Sequence, residues 1–395
     1  MKRFIRRLVY LAAPVLCVLF VMAVMVEHFT PSKLTMACPE NEVLGGSFPL
    51  SLQYDSRNTV SASLDSSAGK SRLKARMMIF GFFPVKSVDV EITPRKNVIV
   101  SGKPFGIRIY TEGLVVSSTS AVRTKSGGEC PAEKAGIEKG DILLRANDTR
   151  LRTNEQLQYI VGSCDGAVTL DVKREGRVFR TSITPVYDAD EGLLKLGLHI
   201  RDSIAGLGTL TFTDPEDGSF FGLGHGICDT ESGCLMPMLE GDVVNAEITS
   251  VSKSICGTPG SLIGHFSGSE AIGTLTANTS HGVYGRLSNL PENQTTTPVA
   301  FRHEIVRGPA VMLTTIDGDE PREYNVEVEE VSYNDNSDNK NVIIHITDEY
   351  LLKKTGGIVQ GMSGSPVLQN GRLIAAVTHV FVNDPTRGYC AAISD

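Results

Sequence analysis

The chain opens with one long apolar run and then changes to short alternating patterns. Residues 8–26 carry no charged side chain and follow a cluster of Lys and Arg. About 19 apolar residues span a hydrocarbon core as a helix, and preceding basic residues hold the N-terminus in the cytoplasm. The pattern predicts a membrane anchor over residues 1–27 with the rest of the chain across the membrane. A cleaved signal peptide is the alternative.

Beyond the anchor the patterning predicts three further parts. Residues 28–84 begin polar and rich in Ser, Gly and Asn, which predicts a tether with little fixed structure. Val88, Val90 and Ile92 then alternate with acidic residues, as in a half-buried strand, and open a mixed α and β region over residues 85–190. From residue 193 to 395, short β-like runs separated by turn residues are typical of barrels or sandwiches.

Composition narrows the fold and the partners. The 395 residues fit two or three domains, and 39 glycines with few helical patterns predict a mainly β chain. A net charge of −7 without an internal basic stripe argues against nucleic acid as a partner. The eight cysteines show no CxxC pair and no zinc-ligand spacing, so no metal or cofactor is predicted. Cys228 and Cys234 flank a predicted loop and could form a disulfide in an exported domain.

A specific phrase occupies residues 131–148 and reads Pro-Ala-Glu-Lys-Ala-Gly-Ile-Glu-Lys-Gly-Asp-Ile-Leu-Leu-Arg-Ala-Asn-Asp. It predicts a one-turn helix that stops at Gly136, a reversal at Gly140 and an apolar strand that ends in an Asn-Asp turn. This phrase resembles the PDZ domain, in particular the circularly permuted bacterial type attached to proteases.

The PDZ resemblance implies a groove that captures a chain end or an extended segment as an added strand. The loop that matches the family's peptide-binding loop contains Phe105, Gly106 and Ile107, within Lys-Pro-Phe-Gly-Ile. An ordinary turn into an edge strand is the alternative. The helix lining the groove is expected over residues 154–162.

The strongest chemical signal is Gly-Met-Ser-Gly-Ser-Pro at residues 361–366. A serine between glycines in a tight turn exposes its hydroxyl and lets backbone N–H groups converge on a developing oxyanion. The motif resembles Gly-Asp-Ser-Gly-Gly-Pro of trypsin-like proteases, and alignment makes Ser363 the nucleophile. The N–H groups of Gly361 and Ser363 then form the oxyanion hole, and Ser365 is the competing nucleophile.

A serine nucleophile needs a nearby base, and His225 is the best candidate. It lies in Gly-Leu-Gly-His-Gly, more than a hundred residues before the serine, as the base does in chymotrypsin-like chains. His379, on the predicted strand after the serine, is the second candidate. Spacing leaves the orienting acid open among Asp229, Asp242, Asp317, Asp319 and Asp348.

Several motifs together are very similar to the SpoIVB peptidase family of spore-forming Firmicutes. They are Gly-His-Gly, Ile-Thr-Asp, Gly-Gly-Ile-Val-Gln-Gly-Met-Ser-Gly-Ser-Pro and Ala-Val-Thr-His-Val-Phe-Val-Asn-Asp-Pro-Thr. The resemblance places the catalytic triad on His225, Asp348 and Ser363 and implies a PDZ module followed by a chymotrypsin-like double β-barrel. Asp242 fits the chymotrypsin spacing better than Asp348.

The family resemblance also implies a biological role. The protein would be exported from the forespore into the space between the two membranes, cleave its own N-terminal region and then cut the regulatory partner of an intramembrane metalloprotease. That cut leads to activation of sigma-K. Two rivals remain: a catalytically silent PDZ scaffold, and a periplasmic quality-control protease, which the domain order argues against.

Overall fold

The computed structural model describes residues 13, 17, 21, 33–37, 43–44, 50–54, 71–79, 83–290, 295–332 and 339–393. The predicted anchor at residues 8–26 lies almost entirely outside this set. None of the helices formed by the described residues is long and apolar enough to cross a membrane.

The described chain is mainly β, as predicted. Strands of the first third are β1 (Lys33–Met36), β2 (Val43–Leu44), β3 (Leu50–Tyr54), β4 (Ser71–Ile79), β5 (Phe83–Ile92), β6 (Asn97–Val100), β7 (Pro104–Thr119), β8 (Val122–Thr124) and β9 (Gly127–Glu129). The middle contains β10 (Ile142–Ala146), β11 (Thr149–Arg150), β12 (Val168–Arg174), β13 (Arg177–Ile183), β14 (Val186–Tyr187), β15 (Leu194–Lys195), β16 (Leu198–Thr213), β17 (Ser219–Gly222), β18 (Met238–Ser252), β19 (Ser261–Thr279) and β20 (Gly282–Leu287). The last part contains β21 (Thr297–Pro298), β22 (Gly308–Thr314), β23 (Arg322–Val331), β24 (Val342–Ile346), β25 (Pro366–Gln369), β26 (Arg372–Val380) and β27 (Arg387–Ala392). The helices are α1 (Pro131–Lys134), α2 (Asn154–Gly162) and α3 (Glu349–Thr355), with a 3-10 turn at Arg302–Glu304.

The N-terminal strands form a sheet of their own, in the order β1-β5-β4-β3-β2. Alternate apolar positions, among them Met77, Val88 and Val90, point to one buried face. The prediction of a tether with little fixed structure is therefore wrong for the described parts of residues 28–84. The apolar positions there are few, but they alternate strictly enough to bury one face of the sheet.

Two six-stranded rings follow, which agrees with the predicted pair of barrels. In the first ring β7, β18, β19, β20, β17 and β16 pair in that order, and β16 closes on β7. Phe105, Phe220 and Val283 are among its core residues. The second ring runs β22-β23-β24-β27-β26-β25 around a core that includes Met312 and Ile344. Each ring closes because its last strand pairs with its first.

Strands β7 and β16 are long enough to belong to two units. Their barrel halves pair over Pro104 to Tyr110, and their other halves extend into a smaller sheet with β10, β12 and β13. That smaller sheet packs with α1 and α2 around Leu114, Leu143 and Leu170. The first barrel thus takes a strand from before the predicted boundary at residue 193, because one continuous strand serves both units.

The same pairing corrects the predicted peptide-binding loop. Phe105 and Ile107 are 2% and 1% exposed, and residues 105–107 pair with β16 on one side and β18 on the other. Gly106 packs against Phe266 and Val244, where a Cβ would lie 2.5 to 2.6 Å from their side chains. A strand paired on both sides has no free edge for a peptide, so the prediction at these three residues is wrong.

A partly buried charge cluster ties the segment between β5 and β6 to the second barrel. The two terminal nitrogens of the Arg95 guanidinium donate to the Glu304 carboxylate at 2.6 and 2.7 Å. The guanidinium carbon Cζ lies 4.6 Å from the centre of the Phe301 ring. Arg372 contacts the same carboxylate at 2.6 Å. Burial raises the pKa of Glu304, but the Arg95 hydrogen bonds and the Phe301 amide outweigh it and hold the pKa below its usual range.

Replacement of Glu304 by Gln should destabilise the fold by about 2–3 kcal/mol, because two arginines lose charged hydrogen bonds in a partly buried site. Glu320→Gln is the matched control, since Glu320 pairs with Lys103 at the surface and is 74% exposed. Urea unfolding of both variants measures the difference. Equal stability of the two would contradict a structural role for the cluster.

Candidate active site

Ser363 lies in a tight turn that two left-handed glycines shape. Gly361 and Gly364 have φ angles of +98° and +94°. A Cβ on Gly364 would lie 2.1 Å from the Thr209 carbonyl oxygen, so only glycine fits there. The Ser363 hydroxyl is half-buried and donates to the Thr378 carbonyl at 3.1 Å. The turn therefore holds the hydroxyl at the boundary between the two barrels.

Strand β16 of the first barrel binds this turn from the opposite side. The Thr209 hydroxyl donates to the Gly361 carbonyl at 2.8 Å, and the Thr209 amide donates to the Ser363 carbonyl at 3.1 Å. The Thr211 hydroxyl donates to the Gly364 carbonyl at 2.7 Å. Both threonines are buried. These bonds hold the carbonyl groups of the turn toward β16 and leave the N–H groups of Gly361 and Ser363 unused by that strand.

The Gly361 and Ser363 amides remain unpaired within the described part of the chain. They are the two groups that the trypsin-like alignment assigned to the oxyanion hole. Ser365, the competing nucleophile, is fully buried and donates to the Thr314 hydroxyl at 2.9 Å. A hydroxyl enclosed in the core cannot meet a substrate, so the geometry favours Ser363.

The loop that carries His225 packs directly on the serine turn. A Cβ on Gly224 would lie 2.9 Å from the Thr378 side chain and 3.2 Å from the Val377 carbonyl. The Leu223 amide nitrogen lies 2.5 Å from the position a Cβ on Gly364 would take. The loop of the first barrel and the turn of the second are therefore in contact at Thr378 and Gly364.

His225 and His379 meet at this contact. Their ring centres are 5.4 Å apart, and the rings are tilted by 42°. His225 is half-buried, and its Nδ1 lies 3.0 Å from the Gly226 carbonyl oxygen. Partial loss of hydration, followed by the charges of His225 and Lys340, lowers the pKa of His379. The lowered pKa favours its neutral form at neutral pH. Both candidate bases thus neighbour residues of the Thr378 contact: His225 follows Gly224, and His379 follows Thr378.

Asp229 anchors the same loop. Its carboxylate is 2.7 Å from Arg201 Nε on β16 and accepts hydrogen bonds from the Ser232 amide at 2.7 Å and the Ser117 hydroxyl at 3.1 Å. Burial raises the pKa of Asp229, but the Ser232 and Ser117 hydrogen bonds and the Arg201 charge outweigh it and hold the pKa below its usual range. The loop is therefore tied to β7 and β16 by an ionised, buried side chain.

Asn278 closes the loop from β19. Its side-chain oxygen accepts from the Ile227 amide at 2.9 Å, and its nitrogen donates to the carbonyls of Ile227 and Met236 at 2.9 and 3.0 Å. One amide side chain thereby satisfies both arms of the loop. Sequence reasoning missed Asn278, because a lone Asn on a strand gives no signal of a long-range partner.

The predicted acid Asp348 has a different role in the structure. It precedes α3 as its N-cap, where its carboxylate accepts from the Leu351 amide at 2.9 Å and lies 3.4 Å from the Asn325 amide. Asp242 instead pairs with Arg108 at 3.4 Å. Within the described residues no ion pair or hydrogen bond joins either carboxylate to His225. One Asp348 oxygen therefore caps α3 and the other faces the Asn325 amide of β23, and its assignment as the catalytic acid stays a prediction.

Two further predictions concern the cysteine pair and the absence of a metal site. Cys228 and Cys234 are free thiols with exposed side chains. Partial loss of hydration, followed by the charge of the neighbouring Cys234, raises the pKa of Cys228. In the described residues no group of three or more His, Cys, Asp or Glu is placed to hold a metal ion.

With this geometry established, comparison with known proteins decides the family. A sequence model described as SpoIVB peptidase S55 matches residues 192–395. The chain belongs to the SpoIVB peptidase S55 family. The match includes His225 and Ser363 and both barrels except the barrel half of β7. The description of this family is that of a peptidase and bears the name SpoIVB.

Other relatives match shorter stretches of the S55 peptidase. A Treponema pallidum protein named as a zinc metalloprotease is 30% identical over 129 residues, which is 31% of this chain and 28% of the relative. Metalloprotease MmpA of Caulobacter vibrioides is 27% identical over 93 residues, which is 23% of each chain. The chain thus spans less than a third of these relatives, and their metalloprotease names describe those proteins alone.

Replacement of Asp229 by Asn should destabilise the S55 peptidase by about 1–2 kcal/mol at neutral pH, because charged hydrogen bonds from Ser232 and Ser117 are weakened and the half-exposed Arg201 loses its ion pair. A depressed pKa contributes stability above the unfolded value of about 3.9 and loses it as pH falls through the folded pKa. The difference between wild type and variant should therefore shrink toward pH 3. Urea unfolding at several pH values measures this.

The matched control is Asp190→Asn, whose partner Arg123 is 76% exposed, and it should leave stability unchanged. A pH-independent gap between Asp229→Asn and wild type would contradict the ionised anchor.

Proposed function

We propose that this S55 peptidase is a serine endopeptidase in which His225 activates Ser363 across the contact between the two barrels. The observation that carries the proposal is the packing of Gly224 on Thr378, the residue whose carbonyl accepts the Ser363 hydroxyl hydrogen bond. A nucleophile on one barrel and a base on the other meet only where such a contact exists.

In the proposed reaction the Ser363 hydroxyl leaves the Thr378 carbonyl and attacks the substrate carbonyl carbon as His225 takes its proton. The unpaired amides of Gly361 and Ser363 stabilise the oxyanion. His225 then gives the proton to the leaving amine, and water repeats the sequence to release the acyl group. His379 remains the alternative base, since it lies against the same imidazole.

The smaller sheet supports a PDZ-like role at a site other than the one predicted. A cavity of about 360 Å³ lies between α2 and the start of β16 and is lined by Gln158, Val161, Leu198 and Ile200, among others. Residues 198–200 pair with β7 on one edge only within the described chain. An extended peptide adding to that free edge would lie against α2, which is how PDZ domains bind peptides.

The biological setting of the proposal follows from the family. The protease would be held at a membrane by its N-terminal helix and exported from the forespore into the intermembrane space. There it would cleave its own N-terminal region and then the regulatory partner of an intramembrane metalloprotease, which leads to sigma-K activation. The groove would present the N-terminal region of the same or another copy to Ser363.

The mechanism predicts which residue a serine-reactive fluorophosphonate labels. The reagent should label Ser363 of the full chain in detergent. His225→Ala should slow this labelling about a thousandfold or more, because the hydroxyl loses its base. Ser365→Ala is the matched control and should label normally. Mass spectrometry of the labelled peptide and the labelling rate measure both results.

Two results would redirect or overturn this mechanism. Labelling that survives His225→Ala but is lost in His379→Ala would move the base to His379. Asp348→Ala should keep its labelling rate and lose about 1 kcal/mol of stability, because the cap of α3 is removed. Absence of labelling at Ser363 in the wild type, with full proteolytic self-processing, would contradict the serine mechanism and favour cleavage by another enzyme acting on a silent scaffold.

The groove predicts binding of the chain's own N-terminal segments. Some of a set of overlapping peptides from residues 28–84 should bind to the protein. Gln158→Trp should weaken their affinity at least tenfold, because the indole fills the cavity. Tyr159→Trp is the neighbouring control, since Tyr159 is 77% exposed and does not line the cavity. Fluorescence anisotropy measures both, and equal weakening by the two variants would contradict the groove.

A further inference from the structure

A second cavity opens beside the nucleophile turn. It has a volume of about 390 Å³ and lies between β16, β19 and the two residues that begin the serine turn. Its lining is Ala205, Gly206, Leu207, Ser261, Leu262, Gly264, Phe266, Gln360 and Gly361. Gly361 contributes one of the two unpaired amides, so the cavity begins where the substrate carbonyl would bind.

The chemistry of the lining is apolar and uncharged. Leu207 and Phe266 are half-buried, and Leu262 is 8% exposed as part of the second barrel's core. None of the nine lining residues carries a charge. A charged substrate side chain would lose its hydration here without gaining a partner, whereas an apolar one would bury surface.

The backbone around the cavity is open to an added strand. Residues 205–207 pair with β7 on one edge, and among the described residues no strand pairs with the other edge. An extended substrate can therefore form main-chain hydrogen bonds there and place alternate side chains toward the cavity. The backbone of Gln360 pairs with β19 and the residue before it. Its carbonyl accepts from the Leu262 amide at 2.8 Å, and its backbone N–H donates to the Gly260 carbonyl at 2.8 Å.

Three glycines line the cavity, and they differ in the space around them. A Cβ on Gly264 would lie 2.3 Å from the Glu247 carbonyl oxygen, and one on Gly361 would lie 3.0 Å from the Leu262 side chain. Gly206 differs, because a Cβ there would meet no atom within 4 Å. A larger side chain at Gly206 can therefore reach toward the cavity without disturbing the fold.

We propose that this cavity is a specificity subsite that receives an apolar side chain next to the scissile bond, with Leu207 and Phe266 as its selective walls. The proposal rests on the serine mechanism and adds a substrate class to it: extended segments with Leu, Ile, Val, Met or Phe at one position flanking the cut.

The test is digestion of a peptide library by the full chain in detergent, with mass spectrometric identification of the cut positions. The wild type should favour apolar over charged residues at one flanking position by roughly tenfold, the range of a hydrophobic specificity pocket. Leu207→Asp should replace that preference with Lys and Arg, because a carboxylate then lines the cavity. Ile263→Asp is the matched control, since Ile263 is 49% exposed and outside the cavity.

A second variant guards against misfolding of Leu207→Asp. Gly206→Val should narrow the cavity and shift the preference toward Ala and Val, while thermal unfolding remains at the wild-type temperature. An unchanged profile in both variants or a charged preference in the wild type would overturn the subsite. Failure of the wild type to cut any peptide would overturn the proposed function on which the subsite rests.

A final control separates the subsite from the mechanism. Ser363→Ala should abolish all cuts. Cuts that persist in Ser363→Ala would reject the serine mechanism itself, whereas cuts that vanish but show no apolar preference in the wild type would reject only the subsite.

Discussion

The structure depends on the hydrogen bonds that Thr209 and Thr211 make across the barrel interface. A double-barrel serine protease divides its chemistry, because the nucleophile belongs to one barrel and the base to the other. Here three bonds from β16 fix the carbonyl groups of the serine turn. The Gly361 and Ser363 amides have no partner among the described residues, as the proposed oxyanion hole requires.

One continuous strand serves every part of this arrangement. The start of β16 forms the free edge of the cavity beside α2, and Arg201 then binds the buried Asp229 of the base loop. Residues 205–207 border the second cavity, and Thr209 binds the nucleophile turn. The cavity beside α2, the His225 loop, the second cavity and the Ser363 turn therefore all contact the one strand β16.

The sequence predicted what local patterns encode and missed what depends on distant partners. Alternation predicted the β-barrels, and the flanking glycines predicted the tight turn around Ser363. The groove was predicted at Phe105, but β7 is paired on both sides there; Leu-Gly-Leu at residues 196–198 was the overlooked signal. Asp348 was carried over from the family motif, whereas its position directly before a helix favours a cap, as observed.

The most direct measurement is a crystal structure of the full chain after fluorophosphonate labelling. The account predicts phosphonylated Ser363 with a phosphonyl oxygen at the Gly361 and Ser363 amides and His225 Nε2 within about 3 Å of the serine oxygen. A structure in which the His225 imidazole faces away from the modified serine, with no motion of the Gly224 loop able to bring it back, would contradict the account.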